Sequence, residues 1–83
     1  MNPIELVVSF LDETEKHVTC IAPDFVAFET KFDLSVARLE KEVRMTHLFY
    51  LAWHGLKRTG ETKDDFDKWI DTVSGVQTGD AKK

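Results

Sequence analysis

One cysteine, two prolines and four glycines are all that this 83-residue chain holds of the residues that staple, stiffen or loosen a backbone. Cys20 has no partner for an internal disulfide, so nothing asks for an oxidising compartment. Glycine is too sparse for a G-x-G-x-x-G or P-loop cradle, and no G-x-S-x-G elbow occurs. No apolar run approaches the ~20 residues of a membrane-spanning helix. The N-terminus also lacks the basic stretch and long apolar run of a secretory signal. Basic runs stop at two residues, Lys57-Arg58 and Lys82-Lys83, and the net charge is −4. Binding a phosphate backbone needs a basic face, so no nucleic acid, membrane or cofactor is expected, and the location expected is cytoplasmic.

What is present describes an ordinary globular domain, 42% hydrophobic and 31% charged. Ile4 to Leu11 is rich in β-branched and aromatic residues, with Ile4, Leu6, Val8 and Phe10 on one face. The polar stretch Asp12 to Lys16 and a second β-like run, His17 to Ala22, complete a β-hairpin. Pro23 and Asp24 then open a helix, since proline fits the first turn and aspartate favours the positive helix end. Phe25, Phe28 and Phe32 mark its buried stripe. Asp33-Leu34-Ser35 breaks it, and a short turn over Val36 to Leu39 follows.

The strongest helix is predicted over Glu40 to Thr59. Met45, Leu48, Phe49, Leu51, Ala52, Trp53, Gly55 and Leu56 cover more than half its circumference, so it is read as the central helix, packed on at least two sides. His47, Tyr50, His54 and Lys57 take the remainder, and Gly60 stops it. Thr62 with Asp65 resembles a capping box for a last helix, on which Phe66, Trp69, Ile70 and Val73 share a face until Gly75 ends it. The expectation is one α+β domain over 1–76, an N-terminal β-hairpin packed on a three-helix, mostly α-helical body, with 77–83 as a disordered tail.

Candidate chemistry is thin. His47 and His54 lie seven apart on one helix, whereas chelation wants three or four, and no HExxH or second cysteine supports a metal. His17 and Cys20, three apart in a strand, point to opposite faces. Asp64, Asp65, Asp67 and Asp71 lack the central glycine and closing glutamate of a calcium loop, and helix-start electrostatics account for them. The expectation is therefore no catalytic residue, no metal and no enzyme.

The aromatics remain: six Phe, two Trp and one Tyr, more rings than so small an interior can hide. Some should shelter against a protein partner or a second copy of the chain, and the residues expected to do so are Phe49, Tyr50, Trp53 and Trp69. Tyr50, on the polar side of the wheel, is the expected surface anchor.

Three segments carry a family likeness: DFVAFETKFDLS (Asp24 to Ser35), THLFYLAWHGLKRTG (Thr46 to Gly60) and FDKWIDTV (Phe66 to Val73). Over these roughly fifty residues the chain resembles the small tail assembly chaperones of long-tailed bacteriophages, especially those of actinobacterial hosts. The resemblance implies a non-catalytic assembly factor of the host cytoplasm that coats the tape-measure protein and helps recruit tail-tube subunits. It also implies a longer frameshifted form, for which Ala81-Lys82-Lys83 offers A-rich codons. Two other readings stand beside it: a small head-tail or tail accessory protein of the virion, and an acidic inhibitor or regulator of a host protein.

Overall fold

A computed structural model describes residues 3–33, 35 and 44–79 of the chain. Three antiparallel strands form one sheet with β1 (Ile4–Phe10) in the middle, β2 (Glu15–Cys20) on one side and β3 (Val73–Thr78) on the other. Helices α1 (Ala22–Phe32), α2 (Met45–Arg58) and α3 (Phe66–Ile70) complete the α+β architecture.

The hairpin forms as its pattern predicts. Leu6 pairs with Val18 and Ile4 with Cys20, and Leu6, Val8, Val18 and Cys20 lie buried on one face. The loop is tight: Phe10 donates its N–H to the Thr14 carbonyl at 2.9 Å, and Glu13 takes a left-handed φ of 72°. The Asp12 carboxylate accepts from the Thr14 hydroxyl and backbone N–H, which holds its pKa below the usual range. Val7 points to the opposite face yet is only 7% exposed, because β1 is flanked on both sides and Gly79 lies against it.

Helix α1 starts at the Pro23-Asp24 signal, with the Asp24 carboxylate accepting the Ile21 N–H at 2.9 Å. Its end at Asp33, in left-handed backbone, agrees with the expected break. The turn read over Val36 to Leu39 lies outside the described residues.

Helix α2 is shorter than the periodicity predicts. Arg44 is extended and the helix begins at Met45. Its C-terminus is a Schellman motif: Gly60, at φ 83°, donates to the Lys57 carbonyl, and Glu61 donates to that of Leu56. Leu48, Leu51, Ala52, Gly55 and Leu56 are buried. At Gly55 the helix runs so close to β2 that a Cβ would stand 2.5 Å from Val18 Cγ2.

Three expectations about the C-terminal part are overturned. Asp65, not Thr62, caps α3, accepting the Lys68 N–H at 2.9 Å. The last helix ends at Ile70, and Val73, expected on it, begins a strand that pairs with β1. Gln77 and Thr78, expected in a disordered tail beyond residue 76, are paired with Val7 and Leu6. The cause is long-range: β1 leaves an edge of hydrogen-bonding groups opposite β2, and the chain after α3 satisfies it.

Candidate functional site

Three of the nine rings are buried, Phe25, Phe28 and Trp69. The other six, Phe10, Phe32, Phe49, Tyr50, Trp53 and Phe66, are only partly covered. Four of those six converge where the end of α1, the outer side of α2 and the start of α3 meet. Tyr50 stands edge-on to Phe32 with centroids 5.3 Å apart, and lies 5.5 Å from Trp53 and 6.1 Å from Phe66. Trp53 and Phe66 meet edge to face at 5.8 Å.

These rings line an open groove of about 500 Å³, bordered by Lys31, Thr46, Asp65 and Asp67. The walls are held in place. Trp53 Nε1 donates to the Asp64 carbonyl at 2.9 Å, tying the loop before α3 to α2. Lys57 Nζ lies 5.2 Å from the Trp53 ring centroid, a cation–π contact. Partial burial raises the Tyr50 phenol pKa, so it remains a neutral hydrogen-bonding tip on an apolar body.

Of the residues singled out from sequence, Tyr50 and Trp53 line this groove, while Phe49 packs partly buried against the core. Trp69 is 3% exposed, inside the core between Phe10 and Phe66, and supports the groove wall without reaching its surface. Sequence reasoning missed Phe32 and Phe66 as groove residues, having assigned both to core stripes. Tyr50 does not stand apart on a polar side either, because three rings surround it.

A second polar assembly lies behind the groove. The Asp24 side chain is fully buried and accepts from His54 Nδ1 at 2.6 Å and from Arg58 Nε and Nη2 at 3.1 and 2.9 Å. Arg58 Nη2 also donates to the Thr19 carbonyl at 3.0 Å. Burial pushes the Asp24 carboxyl upward, but the bonds from Arg58, His54 and the Ile21 N–H outweigh it and hold the pKa below its ordinary value. The same contact raises Arg58. His54 and Arg58 are i and i+4 on α2, a spacing that could have flagged the pair, but only the fold brings Asp24 to them.

The chain finds no match among family models, curated proteins or solved structures. What the remaining polar groups can do follows from geometry alone. His17 is exposed on β2, while His47 is buried edge-on against Phe28 and Phe32, not on the polar face expected for it. Among the described residues no three of His, Cys, Asp and Glu gather as metal ligands. The buried Cys20 thiol donates to the Leu51 carbonyl, and burial, with the nearby Asp24 charge, pushes its pKa up to about 12. Such a thiol stays protonated at neutral pH. No helix among the described residues is long and apolar enough to cross a membrane.

Proposed function

We propose that this chain is a non-catalytic protein-binding module whose aromatic groove takes the apolar face of a partner helix. The observation that carries this reading is the convergence of Phe32, Tyr50, Trp53 and Phe66, all partly exposed, around one open groove. Part-covered Tyr and Trp beside a polar rim are the residues from which binding hot spots are built. Asp65 and Asp67 outnumber Lys31 on that rim, which favours a helix presenting a large apolar side chain with a lysine or arginine one turn away.

The resemblance to tail assembly chaperones names such a partner. A tape-measure protein is a long helical rod with repeated apolar stripes. Many copies of a small acidic module could coat it through individually weak contacts and keep it soluble while tail-tube subunits gather. The chain would then act as an assembly factor in the host cytoplasm.

Co-expression with the tape-measure protein of the same genome tests this. The chain should carry that protein into the soluble fraction, and Tyr50→Ala or Asp67→Lys should reduce the yield several-fold. Asp67 is exposed, so its replacement weakens the rim without emptying the core. A tape-measure protein that stays insoluble beside a folded, soluble chain would defeat the proposal. Abundance of the chain in purified virions would instead mark a structural component of the particle.

A further inference from the structure

We propose that the open edge of β3 pairs antiparallel with β3 of a second copy of this chain, joining two three-stranded sheets into one. Gly79 donates its N–H to the Glu5 carbonyl at 2.8 Å, which sets the alternation along the ladder. Gly75 and Gln77, opposite Ser9 and Val7, turn their backbone groups toward β1. Val76 and Thr78 therefore turn theirs outward, on the side of β3 where no strand among the described residues pairs with it, while Ser74 falls in the register shift opposite Ser9 and Phe10.

The two edges of the sheet are unequal. On β2 the outward groups belong to Glu15, His17 and Thr19, and Arg58 already occupies the Thr19 carbonyl. That edge carries charge and is capped. On β3 the stretch from Thr72 to Gly79 contains no charged residue and no proline, in a chain that is 31% charged. Proteins usually blunt a free edge with such residues, so an uncharged edge is a pairing surface.

Charge selects a second copy as the occupant. A two-fold axis places each residue near its own counterpart, which in a chain of net charge −4 is repulsive over most of the surface. β3 is a strip where that repulsion vanishes. An axis at Gln77 sets Val76 of each copy against Thr78 of the other, a pair that favours cross-strand contact, with about four inter-strand hydrogen bonds. The bulge opposite Ser9 and Phe10 falls at Ser74, three residues from that axis. A two-fold of this kind stands perpendicular to the sheet, so both helical layers lie on one side. The proposal is independent of the groove, since no groove residue lies on β3.

Sedimentation equilibrium of the full chain, with amide exchange followed residue by residue, tests it. The mass should rise from 9.5 kDa toward twice that value as concentration approaches the millimolar range. Val76 and Thr78 amides should gain protection in step with it, while Gln77 is protected throughout. Thr78→Pro removes an outward N–H from an exposed position and should weaken the dimer about tenfold or more, with Thr78→Val as the folded control. A mass fixed at 9.5 kDa overturns the proposal. So does a dimer in which the Val76 amide exchanges freely, or protection of that amide that persists on dilution, since the edge would then be covered by its own chain.

Discussion

Asp24 does three things with one carboxylate. It accepts the N–H of Ile21, the residue just before α1, holds His54 and neutralises Arg58, and so links α1, α2 and, through Arg58, the end of β2. Removing one partner from such a cluster is costly because the others lose their counter-charge. Arg58 and His54 are each 27% exposed, so solvent recovers part of that loss. Asp24→Asn should therefore destabilise the fold by about 2–4 kcal/mol, read from urea midpoints. The pH dependence follows from the depressed pKa. The carboxylate's contribution is complete above the unfolded value near 3.8 and is lost as pH falls through the lower folded value. The gap between wild type and Asp24→Asn should be full at pH 7 and shrink below about pH 4, with His54 and Arg58 the groups facing the carboxylate.

Among the elements, α3 is held least by its own length. Five residues give it little helical cooperativity, so it depends on its cap and on Trp69 in the core. Asp65→Ala should cost about 1 kcal/mol in chemical denaturation, as loss of a helix N-cap generally does. Thr62→Ala should cost less than about half of that, since its hydroxyl accepts only the exposed Asp64 N–H at 3.3 Å. Equal effects would return the cap to Thr62. β3 shows the same dependence in a strand: Val76 and Val73 pack against a core built by other elements, and the strand exists because β1 offers it an edge.

For the molecule as a whole, the decisive quantity is how many rings a small domain can cover. Six of nine are incompletely buried, and four of those line one groove. The two tryptophans divide along this line, with Trp69 at 3% exposure and Trp53 at the groove wall. Single-tryptophan variants made by Trp→Phe exchange should differ: acrylamide should quench Trp53 at least about twice as efficiently as Trp69, given their burial. A helical partner in the groove should shield Trp53 and leave Trp69 unchanged. Equal quenching in the free protein would mean that the groove wall is already covered.

Local signals in the sequence determined the α+β class, the hairpin, the start of α1 at Pro23-Asp24 and the stop of α2 at Gly60. They also marked Tyr50 and Trp53 as candidates for a surface. Each of these depends on neighbours a few residues apart, through strand alternation, helix periodicity or the left-handed freedom of one glycine. The tertiary structure alone decided the rest. Phe66, Trp69, Ile70 and Val73 fit one helical face, and only the vacant edge of β1 turned Val73 to Thr78 into a strand. Phe32 and Phe66 joined Tyr50 and Trp53 because α1, α2 and α3 converge there, and Asp24 met His54 and Arg58 across thirty or more residues. Strand pairing, ring clusters and buried ion pairs are contacts between distant segments, and no local pattern encodes which distant segment will arrive.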